Sequence, residues 1–238
     1  MQLHDLTALE QAAAVRTREV SAVELTRHYL ERAQRLNDTV GAYALLTDEL
    51  ALEQAAAADR AAAEASGELP VLHGVVVPVK DLNRVRGVRT RYGSRAVDVV
   101  ADGDDDIVAH LRAGGTVMLG KTTTPEFGLP AYTESDIGPY ARTPWDLTRG
   151  AGGSSGGAAA AVAAGLAPVA QGSDGGGSIR IPASSCGLIG IKPTRGLVSN
   201  GPFPDGPGEL GVQGVLARTV ADAAALLGVL AGVDAAYV

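Results

Sequence analysis

Residues 171–182 read QGSDGGGSIRIP, and the lone hydroxyl of Ser178 after Gly175, Gly176 and Gly177 decides how the rest of the chain is read. Three consecutive glycines cost backbone entropy and give a core nothing to pack. Such a run is tolerated where something approaches the main chain closely, or where the backbone takes angles that a Cβ forbids. Three readings compete: a phosphate cradle, a plain turn, and a nest of backbone N–H groups with a nucleophile at its end. The nest has a mechanism, because successive amides converging on one point suit an oxyanion. Ser178 would then stand where it can attack the carbonyl whose oxygen the nest receives.

Upstream lies GGSSGG (152–157), which contains G-x-S-x-G centred on Ser154. An α/β-hydrolase needs its acid and then its histidine after that serine. The histidines here are His4, His28, His73 and His110, all earlier in the chain. Taken alone, GGSSGG reads as a turn opening an alanine-rich helix at 156–164. Ser178 still needs a base, and with no histidine in suitable order the candidate is a lysine. Lys80 ends the β-branched run VVVPVK and is preferred, although Lys121 and Lys192 also follow apolar segments. Apolar surroundings lower a lysine pKa toward neutrality, the condition for it to act as a base.

One further match is read as accidental. Gly115, Gly120, Lys121 and Thr122 satisfy G-x-x-x-x-G-K-[ST], which needs a strand, a loop and then a helix start at the phosphates. Residues 116–119 (TVML) look like the strand itself, and Pro125 follows soon after.

Alternation of helical and strand-like segments sets the fold class. SAVELTRHYLERAQRLN (21–37) has the Ser21/Glu24 capping-box pattern and an apolar stripe through Val23, Leu25, Tyr29, Leu30, Ala33 and Leu36. A third helix spans 50–65, ended by Gly67 and Pro70. Strands are expected at 74–81, 116–120, 167–172 and 187–191, and helices at 104–113, 156–164 and 219–231. The Gly/Pro-rich 199–214 reads as an ordered loop. The pattern predicts an α/β fold, a mixed sheet flanked by helices on both faces, with an N-terminal helical segment.

Glycine supplies 31 of the 238 residues, roughly twice the ~7% average. The balance of 20 basic and 27 acidic residues gives a net charge of −7, which argues against nucleic-acid or anionic-membrane partners. Arg84, Arg86, Arg89 and Arg91 form a local cluster, read as a solvated loop. The single cysteine, Cys186, excludes an internal disulfide and fits a reducing compartment; its small apolar neighbours predict a buried, inert thiol. The N-terminus lacks a signal-peptide pattern and no 18-residue apolar run occurs, so a cytoplasmic location is expected. No His/Cys/Asp cluster at ligand spacing is seen, so neither a metal nor another cofactor is expected.

GVVVPVKD (74–81), GKTTTPEFG (120–128), GGSSGG (152–157) and GSDGGGSIRIPASSCGLIGIKPTRG (172–196) occur in this order, with Ser154 and Ser178 24 positions apart. Together they resemble the amidase signature family. The resemblance implies a Ser–cis-Ser–Lys triad: Ser178 as acyl-forming nucleophile, Ser154 bridging after a cis bond from Gly153, and Lys80 as base. It implies an oxyanion hole from the amides of Gly175, Gly176, Gly177 and Ser178, supported by Ser155, Ser173, Asp174 and Arg180. It also implies one domain, with helices over 1–70 packed on a catalytic core over 71–238 that is incomplete at its C-terminus.

The implied function is a serine amidase cutting a carbon–nitrogen bond of a small-molecule amide through an acyl-enzyme. A truncated, non-catalytic relative and a glutamine-amidotransferase subunit remain as alternatives, and a missing C-terminal half or a homo-oligomer as partners. Three positions depart from the family pattern: Ala158 for serine, Thr123 for asparagine, and Ile181 where the transamidosome subunits carry glutamine. The last counts against a tRNA-charging role. Phe127, Gly128 and Leu129 are candidates for the pocket lining, with core packing open for Phe127 and Leu129.

Overall fold

Helices come first in the chain, each with its own start signal. In the computed structural model, which describes residues 2–202 and 210–232, α1 (Ala8–Thr17) and α2 (Ala22–Val40) both begin with a capping box. The Glu24 N–H donates to the Ser21 hydroxyl while the Ser21 N–H donates to the Glu24 carboxylate. Two groups otherwise orphaned at that end are thereby satisfied. Leu25, Tyr29, Leu30 and Ala33 form the buried stripe of α2, as the helical period requires. Strand β1 (Tyr43–Leu46) and α3 (Asp48–Glu64) follow.

Next in order are β2 (Val79–Lys80), a short ribbon of β3 (Arg89–Thr90) with β4 (Val99–Val100), α4 (Asp106–Ala113) and β5 (Gly120–Thr122). Strands β1, β5 and β2 make a mixed sheet, β2 parallel and β1 antiparallel to β5. The chain continues through α5 (Gly156–Ala163), β6 (Val169–Asp174), α6 (Arg180–Cys186), β7 (Ile189–Ile191), β8 (Val212–Ala217) and α7 (Val220–Ala231). The second sheet is antiparallel, in the order β6-β8-β7. It meets the first where the Gln171 N–H donates to the Pro78 carbonyl at 3.2 Å.

Side chains on β6 and β8 alternate between two apolar cores. Val169, Val215 and Ala217 join the core shared with Ile107, Leu111, Leu226 and Leu230 of α4 and α7. Ala170 and Leu216 join the core of α2 and α5, where Leu25, Tyr29 and Ala158 lie. Helices therefore cover both faces, and α2 is built into the same core as the sheet.

Four details differ from the sequence reading. The strand expected at 116–120 pairs at Gly120–Thr122, with only an isolated bridge at Val117 before it. The 74–81 run pairs as a strand only at Val79–Lys80, with a single bridge from Val76 to Val117 before it, because Pro78 has no N–H to give the ladder. The segment read as a loop at 199–214 already contains the start of β8 at Val212, while residues 203–209 lie outside the described residues. α6 was not expected from IRIP. Its first N–H groups, those of Ile179 and Arg180, donate to the Asp174 carboxylate, a cap supplied from another element.

Candidate active site

Lys80 closes β2 with none of its surface exposed. Its Nζ stands 2.8 Å from Ser154 Oγ, 2.9 Å from Ser155 Oγ and 3.1 Å from Ser173 Oγ. Three hydroxyls and no carboxylate surround the amine, so its charged form loses solvation without gaining an ion pair. Burial therefore lowers the Lys80 pKa to about 7, with the charge of Asp174 opposing the shift.

Ser154 and Ser155 ride on the turn into α5, and the Gly153–Ser154 peptide bond is cis. The flanking glycines are there because backbones touch. A Cβ on Gly153 would meet Tyr132 N at 2.6 Å, and one on Gly157 would meet the Ala42 and Thr123 carbonyl oxygens at 2.6 Å. Only glycine lets α5 start against β5 and bring both serines to Lys80. The Ser155 hydroxyl donates to the Ser173 carbonyl at 3.2 Å and accepts the Ser173 N–H at 3.3 Å. With its hydrogen committed there, Ser155 can only accept from Lys80.

Ser178 lies half-buried at the end of β6 and its glycine loop. The loop is shaped by Asp174, whose carboxylate accepts the Gly177 N–H at 2.7 Å, the Ile179 N–H at 3.1 Å, and two bonds of 3.0 Å from the Arg180 guanidinium. Burial alone would raise the Asp174 pKa, but Arg180 and these backbone donors outweigh it and hold the carboxyl far below its usual range. Gly177 takes φ 123°, a value that only glycine adopts without strain.

The Gly177 amide, expected among the oxyanion donors, is taken up by Asp174; the exposed members of the run are Gly175 and Gly176. The Ser155 N–H donates to the Ser178 carbonyl at 3.1 Å, which ties the two serine loops together. Among the described residues the Ser178 hydroxyl itself joins none of these hydrogen bonds.

The other sequence candidates fall elsewhere. Lys121, the lysine of the apparent phosphate loop, is buried within β5 and bonded to Asp81 at 2.7 Å and Thr90 at 2.9 Å, with burial lowering its pKa against the pull of Asp81. No helix start follows it to receive a phosphate; the next element is a 3-10 turn over Glu126–Gly128. Among the described residues the exposed Lys192 reaches only the Pro193 carbonyl. Cys186 is buried, as its neighbours predict, and burial pushes its thiol up to about 11, away from the thiolate that reactivity needs. Phe127 is half exposed with φ 51°. A Cβ on the adjacent Gly128 would lie 3.4 Å from Ser154 Oγ, which places this turn at the site. A cavity of about 250 Å³ opens beside the Ser178 loop, lined by Asp174, Gly175, Arg180, Lys192 and Arg195. Sequence reasoning passed over Gln171, fully buried behind Lys80; its signal was a lone amide in an apolar strand.

The Amidase family model matches residues 24–237. A putative amidase of Synechocystis sp. is 47% identical over 230 residues, covering 95% of this chain and 46% of the relative. A glutamyl-tRNA(Gln) amidotransferase subunit from Chromohalobacter salexigens is 45% identical over 98% of this chain and 48% of its own length. Among solved structures, the native peptide amidase of Stenotrophomonas maltophilia superposes with a TM-score of 0.87 at 35% identity, covering 98% of this chain and 49% of that one. The 6-aminohexanoate cyclic dimer hydrolase complexed with substrate gives 0.86 at 37% identity, over 97% and 47%. The chain thus spans about half the length of the relatives it matches.

Proposed function

The chain belongs to the amidase family, and we propose that it hydrolyses a small-molecule amide through an acyl-enzyme on Ser178. The observation that carries this reading is a buried lysine facing three hydroxyls and no acid. A neutral amine has two N–H groups and one lone pair. One N–H goes to Ser155, whose own hydrogen is on the Ser173 carbonyl, and the other goes to Ser173 Oγ. The lone pair is left for the Ser154 O–H.

As Ser178 Oγ bonds to the amide carbon, its proton passes to Ser154 while the Ser154 proton passes to Lys80. The carbonyl oxygen gains the electron pair and rests on the amides of Gly175, Gly176 and Ser178. Collapse of this intermediate breaks the carbon–nitrogen bond, and the relay returns the proton to the leaving nitrogen. Water, deprotonated by the same relay, then releases the acyl group. Asp174 and Arg180 hold the loop that shapes the hole, and no metal or organic cofactor takes part. A cytoplasmic setting belongs to this reading, supported by the single buried thiol. The far wall of the substrate site comes, in this account, from outside these 238 residues or from a second copy.

Release of amine or ammonia from linear amides, anilides and peptide amides, lost in Ser178→Ala, tests the reading. Turnover that survives Ser178→Ala would sink it. A second reading, the glutaminase component of an amidotransferase, is supported by the Chromohalobacter salexigens relative. Against it stands Ile181, whose Cδ1 lies against the oxyanion loop, 2.7 Å from where a Gly177 Cβ would sit. Free glutamine as the sole accepted amide would favour this second reading.

A further inference from the structure

Gln171 sits in β6 with none of its surface exposed. Its main chain and side chain both span the seam between the two sheets. The Gln171 N–H donates to the Pro78 carbonyl at 3.2 Å, and the Lys80 N–H donates to Gln171 Oε1 at 2.8 Å. On the other side of β2 the ladder runs to β5, with Lys80 opposite Thr122. The Gln171 side chain thus supplies the hydrogen bond that a neighbouring strand would otherwise give to the main chain of Lys80.

A backbone N–H can only donate, so this bond fixes which way the amide is turned. Gln171 Nε2 then faces three acceptors: Asn83 Oδ1 at 3.1 Å, the Gly172 carbonyl at 3.0 Å and Gln213 Oε1 at 2.7 Å. The polarity propagates from there. Asn83 Nδ2 donates to Asp105 Oδ2 at 3.3 Å, and Gln213 Nε2 donates to Asn200 Oδ1 at 3.3 Å. No amide in this chain can turn over without setting donor against donor or acceptor against acceptor. Gln171 and Asn83 are buried, Gln213 and Asn200 partly so, and amides whose polarity is fixed in this way are held rigidly.

We propose that Gln171 is a positioning residue for Lys80, holding its main chain at the seam so that Nζ stays among the three hydroxyls. The proposal deepens the amidase reading and rests on Lys80 as its base. A network that merely stabilised the seam would respond alike to a cut at any link, so two cuts separate the ideas. Gln171→Met removes the bond to Lys80, whereas Gln213→Met removes the next link and leaves Lys80 untouched.

Two readouts follow each variant. One is the titration of the Lys80 ε-carbon by 13C NMR, accessible because the chain has three lysines, Lys80, Lys121 and Lys192. The other is the rate at which a fluorophosphonate labels Ser178. In Gln171→Met, water reaching a loosened Lys80 raises its midpoint above the parent value by about one pH unit, and the limiting labelling rate falls about ten-fold. Gln213→Met leaves both at the parent values. Identical behaviour of the two variants, or an unmoved Lys80 midpoint in Gln171→Met, overturns the proposal. If Gln171→Met does not fold, Gln171→Asn keeps the amide but shortens its reach, and the same outcomes apply. A parent that is never labelled, yet whose Lys80 midpoint moves in Gln171→Met, refutes the amidase reading and leaves the positioning role standing.

Discussion

Replacing Lys80 by methionine should abolish Ser178 labelling and yet stabilise the fold at pH 7. Burial takes the Lys80 pKa from an ordinary 10.5 to about 7, so the unfolded chain holds that proton more tightly than the folded one. The cost to the fold is therefore full below pH 7 and fades as pH rises toward 10.5. Counting about 1.36 kcal/mol per pH unit, it is about 4 kcal/mol at pH 7 and about 2 kcal/mol at pH 9. Methionine removes this cost but also loses three hydrogen bonds to hydroxyls, each worth about 1 kcal/mol net. The variant should thus be more stable than the parent by about 1 kcal/mol at pH 7 and less stable by about the same amount at pH 9. Urea unfolding of both proteins at the two pH values measures this. The perturbed Lys121 is common to both proteins and cancels in the difference. A stability difference that does not change with pH would refute the reasoning, because Lys80 would then titrate alike in the folded and unfolded chain.

Other perturbations test the frame around the relay. Asp174→Asn should cost about 2 kcal/mol, since the carboxylate takes three backbone N–H groups and a half-exposed guanidinium. Because the Asp174 pKa is held below its ordinary value, that contribution is present above about pH 4 and fades as the pH falls further. Acid titration of unfolding should show the loss in the parent and not in the variant. Asp81→Leu strands Lys121 in the core and should cost about 3–5 kcal/mol, most of it recovered when Lys121→Met is added; urea midpoints of the single and double variants decide. Gly157→Ala pushes a methyl into the Thr123 and Ala42 main chain and should cost about 1–3 kcal/mol. Gly103→Ala meets nothing within 4 Å and serves as the neutral control in the same thermal melts.

Much of this arrangement was legible because it is local or carried by motifs. The capping box of α2 is written in four residues, and GGSSGG does open a helix, α5, where the sequence placed one. The apparent phosphate loop was rejected because a strand was expected at 116–119; the strand in fact lies at Gly120–Thr122 and takes up Lys121 itself. What the residues alone left open was which lysine serves the serines. Their partners differ. Lys121 has Asp81, Lys192 reaches a surface carbonyl, and Lys80 has three hydroxyls.

Features that no local motif spells out stayed hidden. α6 is capped by Asp174 rather than by its own N-cap side chain. β8 emerges from a glycine-rich stretch because β6 and β7 pair on either side of it. The turn of the Gly177 amide toward Asp174, three residues back, is local but is not written in any motif, and the hold of Gln171 on Lys80 across 91 positions is tertiary and leaves little trace in local pattern.

The central claim is that Lys80, neutral near pH 7, activates Ser178 through Ser154. Peptide mass spectrometry after fluorophosphonate exposure, run at a series of pH values, tests it most directly. The account predicts one adduct, on Ser178, with a rate that is half-maximal near pH 7 and vanishes in Lys80→Met. An adduct on another residue, or a rate on Ser178 that ignores both pH and the loss of Lys80, would contradict it.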